Sequence, residues 1–164
     1  MPSAPEPLTA QHRIEGFVSG EATLDDWLGR RALVNQASGA SRTFVTQEAG
    51  RVVGYYALAS CAVSPAAASG RFRRNMPNPI PVVILARLAV AQSHQGRGIG
   101  RALFQDATRR LIHAADTIGI RGLLVHALSP PARAFYLHLG LEESPLLPTT
   151  LMATIADLRA GWDP

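Results

Sequence analysis

The chain has 164 residues, of which 47% are hydrophobic and 17% charged, with a formal net charge of +4. That is the length of one domain, and it is apolar enough to bury a core, which excludes a disordered chain. All 16 basic residues are arginine, so a P-loop lysine, a Schiff-base lysine and a lysine general base are excluded too.

Residues 1–10 hold three prolines and read as a loose lead-in to a single domain over 1–164. They lack the basic-then-apolar pattern of a secretory signal. His12 to Val18 reads as a short strand. Thr23-Leu-Asp-Asp26 has capping-box spacing, and Leu24, Trp27, Leu28 and Val34 continue at helical spacing. A helix over about 24–37, stopped by Ser38-Gly39, follows. Arg42–Gln47 and Val52–Ser60 are rich in β-branched and aromatic residues and flank the turn Glu48–Arg51, which predicts a hairpin. Cys61 follows with no second cysteine for a disulfide, in keeping with a reducing compartment. Residues 64–81 read as a long loop carrying Arg71, Arg73 and Arg74. Val82–Val90 is apolar except for Arg87, the pattern of a strand covered on both faces.

A glycine-rich turn leads into a helix over 101–118, whose buried stripe is Leu103, Phe104, Ala107, Leu111, Ala114, Ala115 and Ile118, with Asp106 and Arg110 opposite and Gly119 as its cap. Arg121–Leu128 reads as a buried strand. Pro130-Pro131 open a short helix to Leu139, ended by Gly140. Leu151–Leu158 reads as a last strand. The order is that of an α/β domain with a mixed sheet. No apolar run approaches the ~18 residues of a membrane span.

The turn Gln95-Gly-Arg-Gly-Ile-Gly100 joins the most apolar strand to the most regular helix. Glycines let a backbone approach a ligand, and the first helical amides favour an anion, here beside Arg97 and Arg101. The dinucleotide fingerprint fails because Arg101 stands where its third glycine belongs, and the Walker pattern fails for want of lysine. Gln-x-x-Gly-x-Gly resembles instead the pyrophosphate loop of GNAT acetyltransferases. The resemblance implies an α/β (α+β) GNAT fold: a mixed, mostly antiparallel sheet, splayed at a β-bulge and flanked by helices. It implies acetyl-CoA as co-substrate, held by Gln95, Gly96, Arg97, Gly98, Ile99, Gly100 and Arg101, with backbone groups of Leu88, Ala89 and Val90 meeting its acetyl and pantetheine parts. Ala134-Phe-Tyr136-x-x-x-Gly140-Leu matches the family's downstream helix, which makes Tyr136 the proton donor to the leaving thiolate. Ser129-Pro-Pro131 departs from that pattern, as does Leu141 for the usual Phe.

Further stretches, among them Leu24-Asp-Asp-Trp-Leu28, Gly54-Tyr-Tyr-Ala-Leu58, Arg73-Arg-Asn-Met-Pro77 and Arg87-Leu-Ala-Val90, are similar to the TacT-like GNAT toxins of type II toxin–antitoxin pairs. This second resemblance spans about residues 14–158. It implies acetylation of the amino acid on charged tRNA in the cytoplasm, a ribbon-helix-helix antitoxin and a homodimer. Candidate tRNA contacts are Arg30, Arg31, Arg71, Arg73 and Arg74, with Asn35 and Arg87 beside the acceptor; Arg87 reads equally as a structural residue. Two other readings stand at this point: a GNAT enzyme for a small amine or protein N-terminus, and a non-catalytic CoA-binding module. The histidines lack metal-ligand spacing, so no metal is expected.

Overall fold

The computed structural model describes residues 1–161. Residues 162–164, the end of the expected domain, lie outside the described residues. The strands are β1 (Glu6–Pro7), β2 (Arg42–Glu48), β3 (Arg51–Val63), β4 (Ile80–Val90), β5 (Gly122–His126), β6 (Glu142–Glu143) and β7 (Thr150–Thr154). The helices are α1 (Ala22–Arg30), α2 (Ala32–Ser38), α3 (Gly70–Arg73), α4 (Ile99–Ala114), α5 (Pro130–His138) and α6 (Ile155–Gly161). The seven strands hydrogen-bond in the order β1-β2-β3-β4-β5-β7-β6. β1–β2, β2–β3, β5–β7 and β6–β7 pair antiparallel and β4–β5 pairs parallel, so the sheet is mixed and mostly antiparallel, as expected.

The chain forms two compact units, and β3, β4 and α4 contribute residues to both. The first comprises Met1–Ala59 and Ala86–Ala107. Its core gathers Leu8, Phe17, Leu24, Leu28, Val45, Val53, Tyr55 and Ala89. The N-terminal lead-in is not loose: β1 pairs with β2 through Glu6↔Val45 and Pro7↔Phe44, and the Ser3 amide donates to the Gln47 carbonyl at 2.7 Å. The expected strand over His12–Val18 is absent; Gly16 turns the chain at φ 77°, and a single bridge, Arg13↔Arg51, remains. The first predicted helix is two helices. Arg31, with φ widened to −118°, lies between α1 and α2, and Gly39 ends α2 at φ 81°. Thr23 does not cap α1, which starts at Ala22. Asp25 instead reaches back to accept from the Ser19 amide at 3.1 Å and the Ser19 hydroxyl at 2.6 Å. The predicted hairpin is present as β2–β3, with a register shift between Thr46 and Gln47.

The second unit comprises Ser60–Leu85 and the described residues from Thr108 on. Val63, Phe72, Ile80, Val82, Leu124 and Met152 form its core. β4 pairs in parallel with β5 over Val83–Leu85 and Leu123–Val125. β5 then pairs antiparallel with β7, and β7 with β6. The predicted loop over 64–81 contains the short helix α3 and the first residues of β4. α4 ends at Ala114, short of Gly119, and leaves Ile118 exposed rather than on the buried stripe. The predicted strand over Leu151–Leu158 is β7 followed by α6. Thr154 Oγ1 accepts from the Asp157 amide at 3.0 Å and turns the chain into the helix.

Candidate active site

After β4 the chain makes a short 3-10 turn at Gln92–His94 and enters α4 through Gly96 (φ 78°) and Gly98 (φ 81°). Both glycines hold left-handed geometry that residues with a Cβ rarely adopt, and the space a Cβ would take at each is open. The first amides of an α-helix have no intrahelical acceptor, an arrangement that can receive an anion. Arg97 and Arg101 are exposed and make no ion pair among the described residues. Two pins hold the approach to this loop. Gln95 Nε2 donates to the carbonyls of Ser19 (2.7 Å) and Val90 (2.9 Å), so its side chain is committed to the protein. His94 Nε2 lies 2.6 Å from Glu48, whose carboxyl is held below its ordinary pKa first by that hydrogen bond and then by one from the N-terminal ammonium. A cavity of about 200 Å³ beside the loop is lined by Arg97, Gly98, Ile99 and Leu103, together with Met1–Ser3 of the lead-in. The sequence reading left those first residues out of the site.

Residues 86–90 of β4 run up to this loop. Ala89 is buried, whereas Leu88 and Val90 are half-buried. A Cβ on Gly54 would lie 3.4 Å from the Ala89 carbonyl and 3.1 Å from Leu103, so glycine lets β3 pass close to both. Arg87 lies over the Trp27 ring, 5.3 Å from its centroid. Trp27 stacks on Tyr55 at 6.0 Å and 8°, and the Tyr55 hydroxyl donates to the Leu24 carbonyl at 2.6 Å. Burial pushes the Tyr55 phenol well above its ordinary pKa, against the opposing pull of Arg87. The sequence placed Trp27 on a helix stripe and Tyr55 in a hairpin strand, both in toxin-like stretches but with no role of their own; the signal that could have linked them was Arg87, the one charge in an apolar run.

In the second unit, Tyr136 lies on α5. Ser129 accepts from the Ala132 amide and caps the helix, which gives the Ser129-Pro-Pro131 departure a structural role. Gly140 ends the helix at φ 98°, and the Leu141 amide donates to the Tyr136 carbonyl. Tyr136 is buried and packs edge-on to Phe135, with ring centroids 5.1 Å apart. Desolvation pushes its phenol well above the ordinary value of 10.0, which keeps it protonated.

Residues 39–143 match the acetyltransferase (GNAT) domain family. This chain belongs to the GNAT acetyltransferases. It is 53% identical over 158 residues to the tRNA-acetylating toxin of Mycobacterium tuberculosis, a match covering 96% of this chain and 95% of that one. Its fold is similar to that of AtaT complexed with acetyl-methionyl-tRNAfMet, at TM-score 0.89 and 27% identity over 99% and 100% of the two chains. It is also similar to a mutant AtaT bound to the C-terminus of the antitoxin AtaR and acetyl-CoA, at TM-score 0.82 and 27% identity over 98% and 97%.

For this GNAT enzyme the candidate tRNA residues divide by what they already bind. Arg31 donates to Asn35 Oδ1 at 3.1 Å, so two candidates are each other's partners. Arg71 is ion-paired with Asp157 and, at 3.7 Å, with Glu142. Arg30, Arg73 and Arg74 are exposed and make no ion pair among the described residues. Arg121 fastens the segment that carries Arg73 and Arg74 by donating to the carbonyls of Phe72 (2.8 Å) and Arg71 (2.9 Å).

Proposed function

We propose that this GNAT enzyme moves the acetyl group of acetyl-CoA to the α-amino group of the amino acid carried by tRNA, and that the capped product arrests translation. The observation that carries the reading is the 53% identity, over 96% of the chain, to a tRNA-acetylating toxin.

The residues present fit the co-substrate. Gly96 and Gly98 form an open cradle with left-handed backbones, followed by helical amides and accompanied by Arg97 and Arg101, which make no ion pair among the described residues. Gly96 to Arg101 would hold the pyrophosphate, while Gln95 fastens the loop. When bound, acetyl-CoA supplies the acyl group as a thioester. Backbone groups of Leu88, Ala89 and Val90 would orient that group, and an amide there would stabilise the charge developing on its carbonyl oxygen. Tyr136, kept protonated by burial, would give its proton to the leaving sulfur. An ordinary α-amine has a pKa of ~7.7–8.0, so a good part of it is already nucleophilic near neutrality and no dedicated base is compulsory. Arg30, Arg73 and Arg74 are the best candidates for tRNA phosphate contacts. The same reading puts the enzyme in the cytoplasm, as a homodimer restrained by a ribbon-helix-helix antitoxin.

The test is mass spectrometry of aminoacyl adducts after incubation of the purified protein with acetyl-CoA and a bulk charged tRNA pool. Acetyl-aminoacyl adducts are expected. Their absence from every tRNA overturns the reading.

A further inference from the structure

Arg87 is a cation held in place without an anion among the described residues. Its guanidinium is fixed over Trp27, and Trp27 is itself fixed against Tyr55. Its hydrogen bonding is poor. One terminal nitrogen reaches the neighbouring Ala86 carbonyl at 3.3 Å, and the buried Nε has no partner among the described residues. No carboxylate pairs with it among the described residues, and Asp25, which also acts on Tyr55, is spent on Ser19. A buried N–H without an acceptor is destabilising, and native structures keep such groups where a ligand or function explains them. A guanidinium held over a ring still has N–H groups that can reach an anion, and its fork suits a phosphate.

Its position says which phosphate. Arg87 directly precedes Leu88–Val90, the segment read as orienting the acetyl group. In an aminoacyl-tRNA the ester and the amino group are not anionic; the nearest negative charge to the reacting amine is the phosphodiester on the 5′ side of the terminal nucleotide. We propose that Arg87, held over Trp27, binds that phosphodiester and makes the enzyme select amino acids esterified to a nucleotide chain. The inference rests on the tRNA reading above.

The test compares acetylation by the full-length protein of two small esters of one amino acid: the 3′-ester of adenosine, and that of cytidylyl-(3′→5′)-adenosine, which adds the phosphodiester. Wild type is expected to prefer the second by roughly tenfold to a hundredfold in kcat/KM, the range of a hydrogen bond to a charged group. Arg87→Met, which keeps a stem over Trp27, should erase that preference through KM. Arg87→Lys should restore part of it. A third ester with a neutral methylphosphonate linkage should behave like the adenosine ester with the wild-type protein, a readout that needs no variant to fold. Equal losses on both esters in Arg87→Met, or an unchanged preference, would mean that Arg87 only pins Trp27, and the proposal falls. If wild type acetylates charged tRNA but does not discriminate between the esters, this inference alone fails. If it acetylates no aminoacyl ester at all, the tRNA reading fails with it.

Discussion

Arg71 is ion-paired to Asp157, 86 residues further along the chain. The pair, extended by Glu142, ties α3 to the start of α6 and to β6, so the guanidinium is already neutralised within the protein. Arg73 and Arg74, on the same segment, have no such partners among the described residues. Each phosphate contact contributes about 0.7–0.9 to the slope of log affinity against log salt. Replacing Arg73 and Arg74 together with Ala is expected to flatten that slope for tRNA by about 1.5. Arg71→Ala should leave the slope unchanged and lower stability by at most about 1 kcal/mol, since the pair is exposed. Filter binding of charged tRNA between low and physiological salt checks this; a slope lost on Arg71→Ala would return that residue to the interface.

The glycine cradle can be tested apart from tRNA. Gly98 sits at φ 81°, where alanine is strained by roughly 1–2 kcal/mol, and its Cβ would point into the open space over the loop. Gly98→Ala is expected to weaken acetyl-CoA binding at least tenfold by titration calorimetry, and to lower Tm only by several degrees. Gly29, in α1, has no neighbour near its missing Cβ and no left-handed backbone. Gly29→Ala should therefore stabilise the protein by about 0.5–1 kcal/mol and leave binding untouched. Equal binding losses in both variants would mean a general effect of folding.

What could be read from the sequence was local. The loop was legible because strand, glycines and helix are adjacent in the chain. Arg87 was legible as an anomaly, a charge inside an apolar run, but its place over Trp27 depends on a helix 60 residues earlier. The lead-in was misread because the partner of Glu6 is Val45, which no local pattern shows. Asp106 was placed on the exposed face of α4, yet it is buried and accepts from the Tyr56 hydroxyl at 2.5 Å. A capping signal was read at Thr23–Asp26, whereas the Thr-x-x-Asp that caps a helix is Thr154–Asp157. The two patterns are chemically alike, and only β7, which ends at Thr154, distinguishes them.

β5 carries a position at which only glycine fits. A Cβ at Gly122 would collide with the Ala153 carbonyl and the Phe72 ring. The carbonyl belongs to the β5–β7 pairing, Gly122↔Thr154 and Leu123↔Ala153, and cannot retreat without breaking it. Gly122→Ala is expected to cost about 1–3 kcal/mol, a Tm lower by some 2–12 °C. Trimming the ring with Phe72→Leu should not rescue the variant, because the backbone clash stays. Recovery of Tm in the double variant would show that the ring alone sets the limit.

Tyr136 makes a prediction in which sign matters. Its acid form is the neutral phenol, and burial holds the phenol's pKa above 10.0. The proton is therefore still in place throughout the range in which the substrate amine, near ~8 in an ordinary α-amine, loses its own. The rate should rise with pH as the amine deprotonates and then stay flat to at least pH 10, with no descending limb from the tyrosine. Short incubations are required, because aminoacyl esters hydrolyse in base. Tyr136→Phe should lower kcat by about 10²–10⁴-fold, the usual worth of a positioned acid, and leave acetyl-CoA affinity nearly unchanged. A wild-type rate that falls between pH 8 and 10, in a limb that disappears in Tyr136→Phe, would show the phenol ionising there and contradict its desolvated state. Unchanged turnover in Tyr136→Phe would remove the residue as the acid altogether.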